Sequence, residues 1–498
     1  MDRRQTPGIA MASRRTALKS LAHYSAAIYA SQALLVLRGG VLAALLSPLG
    51  FGLWRMVKLA LDYAVHLPMG TVHALRQELP LAIGRNDIAR ARRVTGATLG
   101  FILFIGASLV ILGIAGSLAA PRFWPQIPVW LFLITPLLIT GLLLLLFADG
   151  KLLSEERTGR SSGATFALAV LSVTSMVPAA KWAGLPGALG ALLFSQSCVI
   201  LWLVCQREFP RPLFPRRETL QPLWRIGLPI WATWIPVTLL GDVDQWLVAT
   251  QLGPTMLGYY GIAVFFGSLL MFLPFIFRSV FLPILLRLNA KTATKTPLQE
   301  PFKQALHLIG YAAPIPIALV YFASQPLIDT FLPAYRSALP ATRWYCLGTF
   351  WWIVASATHL FCLVAQTKRR WFIQTLSAIA AHVLITSAVI RAGGGLEGVA
   401  LSMAGIMALY ALAQVHAVVV ILEMPWKEWA SILLRLLVPF VLLCALCLGL
   451  SQALPSTGAS LARNALSASA NMLVTCVILS GLFYAANRKL LFTQLLHT

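Results

Sequence analysis

Residues 127–148 read IPVWLFLITPLLITGLLLLLFA, a stretch without a single charge. A helix rises 1.5 Å per residue, so about 20 such residues cross the hydrocarbon core of a bilayer. Charge-free or nearly charge-free windows of this length recur along the chain about fourteen times. The whole sequence of 498 residues is 58% hydrophobic and 11% charged, with a mean hydropathy of +0.79. A domain that folds in water does not have that balance. The expected fold class is therefore all-α, a polytopic membrane protein.

Lys and Arg outnumber Asp and Glu by 39 to 16, a formal charge of +23. The excess is scattered between apolar runs and offers no continuous basic surface, so no nucleic-acid partner is expected. Assigned to loops, about 27 of the 39 fall on one side of the membrane. They occupy the arm (Arg3, Arg4, Arg14, Arg15, Lys19), the loop after span two (Arg76, Arg85, Arg90, Arg92, Arg93), alternate loops thereafter, and the tail (Arg488, Lys489). Cytoplasmic loops are enriched in both residue types, which places both termini in the cytoplasm and makes the excess a topology signal. The first apolar stretch has no small-residue cleavage site and reads as a retained helix. All loops are short, which leaves no room for a soluble catalytic domain. The seven cysteines lie in apolar runs; Cys444 and Cys447 form a CxxC, but mid-span, so neither a disulfide framework nor a metal site is expected.

Residues 45–54 read LLSPLGFGLW and residues 251–260 read QLGPTMLGYY. At a constant offset of 206, Pro48 matches Pro254, Gly52 matches Gly258, Trp54 matches Tyr260, and Leu67-Pro68 matches Leu273-Pro274. Helices one and two (21–46, 54–75) then correspond to helices seven and eight (224–247, 257–285). Six helices per half preserve orientation, so the halves are expected to be related by an axis along the membrane normal. The organisation read from this is a basic arm (1–20), a six-helix lobe (21–206), a cytoplasmic linker (207–223), a second six-helix lobe (224–421), two further helices (432–486) and a tail (487–498).

Charge inside a span costs about 2.5–3.5 kcal/mol per residue on insertion scales, so intramembrane ionisable groups are functional candidates. Helix two concentrates them. Arg55, Lys58, Asp62, His66, Met69 and His73 follow at spacings of three and four, within about an 80° arc of one helix and along about 27 Å of it. Two readings stand: a stripe lining a hydrated cavity, or a polar seam between packed helices. Arg38 on helix one and Asp62 on helix two lie at matched depth and could pair, which is one reading of both charges beside a place in the cavity. Arg55 is near enough to the outer surface to snorkel. Asp242 and Asp244 close helix seven, either as a polar helix end or as part of a gate, since the offset sets Asp244 opposite Arg38. Arg278 on helix eight faces the cavity or snorkels toward cytoplasmic headgroups.

LLSPLGFGLW with the stretch ending HALRQELPLAIGRND (73–87), then DVDQWLVATQLGPTMLGYYGIA (242–263), FLPAYRSAL (331–339) and GGGLEGVALSM (393–403), in this order, resemble the polysaccharide transporter (Wzx-like) family. That family belongs to the multidrug/oligosaccharidyl-lipid/polysaccharide flippase superfamily, and the likeness runs over about residues 20–420. The resemblance implies a V-shaped bundle of two six-helix lobes. It would flip an undecaprenyl-diphosphate-linked oligosaccharide across the bacterial inner membrane by alternating access, without being an enzyme. Arg38, Arg55 and Arg278 match by position the arginines that hold the diphosphate in related lipid flippases, with Lys58, His66 and His73 lining the same cavity. Fourteen helices rather than twelve is a departure from the common pattern. Membrane lipids, a polysaccharide polymerase and chain-length machinery are the implied partners. No cofactor is implied, and nothing resembles a Walker A loop. Asp62, His66, Asp242 and Asp244 are the candidates for gating or ion coupling. The competing reading is a multidrug or organic-cation antiporter of the same superfamily.

Overall fold

The computed structural model describes residues 7–123, 125–291, 296–364, 368–453 and 461–495. Arg3 and Arg4 lie outside the described residues, as do the side chains of Arg14, Arg15, Lys19, Arg488 and Lys489. The described residues form α1 (Pro7–Leu45), α2 (Pro48–Ala64), α3 (Thr71–Gly84), α4 (Ile88–Phe123), α5 (Val129–Ser154), α6 (Thr158–Cys205), α7 (Arg217–Leu247), α8 (Pro254–Leu270), α9 (Phe272–Lys291), α10 (Gln299–Ala312), α11 (Pro314–Phe331), α12 (Leu339–Val364), α13 (Lys368–Arg391), α14 (Gly395–Ile421), α15 (Trp426–Ala453) and α16 (Leu461–Leu495). No strand interrupts them among the described residues. Among the described residues twelve segments are long and apolar enough to cross a membrane, and the chain is a multi-pass membrane protein.

Two features bring the twelve to the fourteen passes expected. The 48 residues of α6 are a hairpin rather than a rod, because Gly184 takes φ 59°, ψ −135° inside it. Ser175 and Ser195 would be about 30 Å apart along a straight helix, yet their hydroxyls meet at 3.0 Å. The second feature is the charged pass formed by α2 and α3 together, described below.

The chain divides into two compact units, Met1–Ile235 and Pro236–Thr498. In the first, α1 packs on α6, α4 on α5, α5 on α6, and α3 on both α4 and α5. Without a hydrophobic drive between helices in lipid, close backbone approach at small residues holds such bundles. Accordingly, a Cβ at Gly106 would strike Thr140, and one at Gly96 or Gly100 would strike Leu213. Leu213 belongs to the segment before α7, which is laid along α4 with its N–H donated to the Gly96 carbonyl at 2.9 Å. The start of that segment is fixed by Glu208, whose side chain is 1% exposed. It accepts from Lys151 at 3.0 Å, from Arg157 at 2.7 Å and from Arg160 at 2.6 Å. Three cations from the ends of α5 and α6 thus converge on one buried carboxylate. In the second unit α12 packs on α14 and α8, α13 on α14, and α11 on α16; Gly348 brings α12 against Ala404 of α14.

The internal repeat is visible in the helix bounds. Ser47 caps α2 by accepting from the Gly50 N–H at 3.2 Å, and Pro48 takes the first helical position, where its missing N–H costs nothing. Pro254 takes the same first position in α8, after Gly253 at φ 87°, which has no side chain to cap the helix. Both helices run 17 residues, Pro48–Ala64 and Pro254–Leu270, so each begins and ends 206 positions from its counterpart. Both are followed by a break before the pass is completed, by α3 and by α9.

Candidate functional site

The first unit holds the arginine of helix one. Arg38 lies seven residues before the end of α1, roughly 10 Å along the helix. Its guanidinium sits 5.7 Å from the centroid of the Trp54 ring on α2, and Nη1 donates to the Ser172 hydroxyl on α6 at 3.1 Å. Nε is buried and has no hydrogen-bond partner. A guanidinium held by a ring face and one neutral hydroxyl keeps its full charge and spare donors, an arrangement that suits a phosphate oxygen.

Asp62 does not pair with Arg38 as matched depth suggested. It pairs with Lys58, one turn back on the same helix, because an i,i+4 partner is within reach without any helix packing. Both side chains of that pair remain about 40% exposed (37% and 42%). Arg55, Lys58 and Asp62 share one face of α2, with Arg55 half-buried.

The stripe does not continue as one helix. Residues 65–70 form turns, Met69 takes φ 47° and Gly70 φ 81°, and α3 starts afresh at Thr71. Pro68 supplies no N–H to the helical ladder. Gly70 and Gly227 of α7 lie backbone to backbone, and a Cβ on either would overlap the other's carbonyl. The His66 carbonyl accepts from the Met69 N–H at 3.0 Å and from the Trp231 indole N–H at 2.8 Å. His66 therefore sits in the break and His73 on α3, both partly exposed, on separate segments from the α2 charges. Broken helices with irregular backbone at membrane depth are tolerated where they are buried in protein or line a water-filled cavity.

The second unit repeats the constellation with inverted charge. Asp244 on α7 stands 206 positions after Arg38, and Tyr260 on α8 the same distance after Trp54. Asp244 is fully buried; its Oδ2 accepts from the Tyr260 hydroxyl at 2.6 Å and its Oδ1 from the Gln245 N–H at 2.8 Å. Asp242 accepts from the Gln245 side-chain amide at 2.8 Å. The fully buried His382 of α13 lies within Coulombic range of Asp244. In each unit the first, second and fifth passes thus meet, at Arg38, Trp54 and Ser172 in one and at Asp244, Tyr260 and His382 in the other. Beyond Asp244, α7 ends in a π-helical turn, Val248–Leu252, a local distortion often found at functional sites.

Arg278 is an exposed residue of α9, within Coulombic range of His359 on α12. The His359 ring stacks on Trp371 of α13, centroids 4.5 Å apart and planes 17° apart. The structure therefore brings together Arg55, Lys58 and Asp62, sets Arg38 beside Trp54, and places Asp242, Asp244 and Arg278 on helices of the second unit. Ser172, His359, Trp371 and His382 escaped the sequence reading, and Trp54 and Tyr260 entered it only as a match in the repeat. The 206 offset contained the signal for Trp54 and Tyr260, since it also links Arg38 to Asp244.

Comparison with known proteins gives the same frame. Residues 41–335 match the family described as polysaccharide biosynthesis protein. Curated proteins give no match. Among solved structures the chain is similar to the lipid II flippase MurJ in an inward closed conformation, with a TM-score of 0.68 and 15% identity over 94% of this chain and 99% of that one. It is also similar to the inward-facing conformation of a multidrug resistance MATE family transporter of the MOP superfamily, with a TM-score of 0.65 and 16% identity over 82% and 95%. At such identities the likeness speaks for the fold. Because the family match spans more than half of the sequence, the chain belongs to the polysaccharide biosynthesis protein family, and it has the fold of the MOP-superfamily transporters and flippases.

Proposed function

We propose that this protein flips an undecaprenyl-diphosphate-linked oligosaccharide repeat unit across the bacterial inner membrane by alternating access. The cargo would feed exopolysaccharide, capsule or O-antigen synthesis. The observation that carries this reading is Arg38, a guanidinium about two turns inside the membrane end of α1 that is held by Trp54 and Ser172 and retains an unpartnered Nε. A diphosphate is the natural occupant of such a group, because bidentate guanidinium contacts with phosphate oxygens are strong where water is scarce. In this reading Arg38, Arg55, Lys58 and Arg278 receive the diphosphate, and His66 and His73 line the path of the glycan. Asp62, Asp242 and Asp244 serve gating or ion coupling. Lobes 21–206 and 224–421 move as the two halves, both termini lie in the cytoplasm, and no covalent step is required.

A multidrug or organic-cation antiporter is the second reading, favoured by the buried carboxylate Asp244 and by the MATE likeness in fold. One experiment separates the two. In a strain lacking this protein, mass spectrometry of lipid extracts should reveal a complete, unpolymerised oligosaccharide on undecaprenyl diphosphate, protected from a probe acting outside the membrane. Unchanged lipids together with unchanged surface polysaccharide would move the weight to the antiporter.

A further inference from the structure

A further intramembrane arginine has no place in the proposed path. Arg343 lies just past the first turn of α12, beside the Pro333–Ala338 turn that joins α11 to α12. Helical side chains lean toward the N-terminus of their helix, so its guanidinium points back to that end of the second unit. Nη2 donates to the Gln325 side-chain oxygen at 2.7 Å, and the guanidinium carbon stands 5.4 Å from the Tyr321 ring centroid. Both partners belong to α11 and both are neutral. The carboxylates nearby in sequence are engaged elsewhere, Asp329 with Arg336 at 2.7 Å and Glu397 with the Trp344 indole N–H at 2.9 Å. No carboxylate pairs with Arg343 among the described residues.

Arg343 Nε is buried without a hydrogen-bond partner, and the Tyr321 hydroxyl lies against Ser451 and Cys447 of α15. Cys447 is in Coulombic range of Arg343, of Cys346 on α12 and of Cys476 on α16. That proximity brings α15 to the guanidinium. α16 packs on α11 and α15, where its Asn471 is tied to the Leu450 carbonyl at 3.3 Å. Three helices, α11, α12 and α15, therefore meet around a positive charge that no carboxylate pairs among the described residues and that keeps a spare N–H donor. The occupant that this set lacks is an anion with several acceptor oxygens. On the outer faces of the same two helices, Val441, Leu473 and Val477 expose 59%, 65% and 63% of their surface, which offers an apolar flank to hydrocarbon chains. One helical turn from the end of a span is the depth of lipid headgroups.

We propose that Arg343, with Tyr321 and Gln325, binds the phosphate of a membrane lipid whose chains lie along α15 and α16, on the non-cytoplasmic side of the topology given above. The site depends on that topology and not on which substrate is flipped. A bulk phospholipid and a polyprenyl diphosphate share the recognised group.

The test is native mass spectrometry of the full-length protein in mild detergent, with phosphatidylglycerol, undecaprenyl diphosphate or sodium phosphate added in turn. The wild type should retain a lipid adduct, and R343Q should lower the bound fraction at least fivefold. R336Q, at the same end but exposed and paired with Asp329, should leave it unchanged. Equal adducts in wild type and R343Q overturn the proposal. If R343Q fails to fold, R343K replaces it: a drop of threefold or more supports bidentate phosphate contact, and an unchanged adduct overturns it. Preference for phosphatidylglycerol identifies a resident lipid, and preference for undecaprenyl diphosphate a stage in the cargo's passage. Binding of free phosphate with no lipid adduct overturns the lipid assignment. Because lipid retention is read without any export assay, its failure is distinct from failure of the flippase reading.

Discussion

Replacing Arg38 with Ala separates a structural arginine from a diphosphate-binding one. Within the protein the side chain contributes one hydrogen bond to Ser172 and one ring contact with Trp54, together about 1–2 kcal/mol of stability. Its loss should lower the melting temperature of the detergent-purified protein by a few degrees. The loss in substrate binding is larger. Two N–H···O⁻ contacts to a diphosphate at about 1.5–3 kcal/mol each give at least 3 kcal/mol, which at 1.4 kcal/mol per tenfold is about a hundredfold in transport. Arg38→Lys keeps the charge and loses the fork, so it should recover roughly a tenth of the wild-type rate. The assay is the initial rate at which an undecaprenyl-diphosphate sugar in proteoliposomes becomes accessible to an impermeant glycosidase, measured with the melting temperature for each variant. A lowered melting temperature with an unchanged rate would show that Arg38 only packs. Full activity of the Lys variant would reduce its role to a point charge.

Cysteines introduced singly at 66 and 73, in a background whose reactive native thiols have been replaced, should be labelled by a water-soluble thiol reagent; complete protection of both would remove the hydrated path at the α2–α3 break. Gly70→Ala places a Cβ into the Gly227 carbonyl at a φ of 81°, so it should destabilise the protein by about 2 kcal/mol or more, read as loss of monodisperse protein after extraction. Glu208→Gln strips the shared partner from Lys151, Arg157 and Arg160. Breaking a buried ion network costs about 3–5 kcal/mol, and a melting temperature within a degree of wild type would contradict that account. Tyr260→Phe removes the hydroxyl that binds Asp244; if Asp244 couples transport to an ion, the dependence of the rate on pH or sodium should shift while expression holds.

What could be read in the sequence was whatever repeats with a fixed period or a fixed offset. Charge-free windows marked the passes, and the 206 offset paired α2 with α8, although the spans read as 54–75 and 257–285 missed both helix starts and ran across both breaks. The break after Ala64 was obscured because polar residues at 66, 69 and 73 keep the helical spacing across it; the signals against a helix were Pro68 and Gly70, and the reason for the glycine, Gly227, lies far along the chain. The mistaken Arg38–Asp62 pairing came from comparing depths, which says nothing about azimuth, whereas Lys58 reaches Asp62 along its own helix. Ser172 and His382 could not be found from periodicity at all. They depend on which helices are neighbours, and lateral packing leaves no regular mark in an apolar sequence.

The repeat explains why the two constellations differ in readiness. A guanidinium needs only the face of an aromatic ring, so Trp54 supports Arg38 without consuming its donors, and Nε stays unpartnered. A buried carboxylate needs hydrogen-bond donors, and a ring face supplies none. Tyr260 provides the O–H for one oxygen of Asp244 and the Gln245 N–H occupies the other. One backbone frame, used twice, therefore yields a guanidinium with an unpartnered donor in the first unit and a closed carboxylate in the second. In the proposed function an anionic substrate would load beside Arg38, whose Nε has no partner to displace. A cation or proton can reach Asp244 only when Tyr260 or the Gln245 turn gives way, and the π-helical turn at Val248–Leu252 begins three residues beyond Gln245. In the proposed cycle the substrate site is thus the ready half, and the coupling site is the half that must be opened.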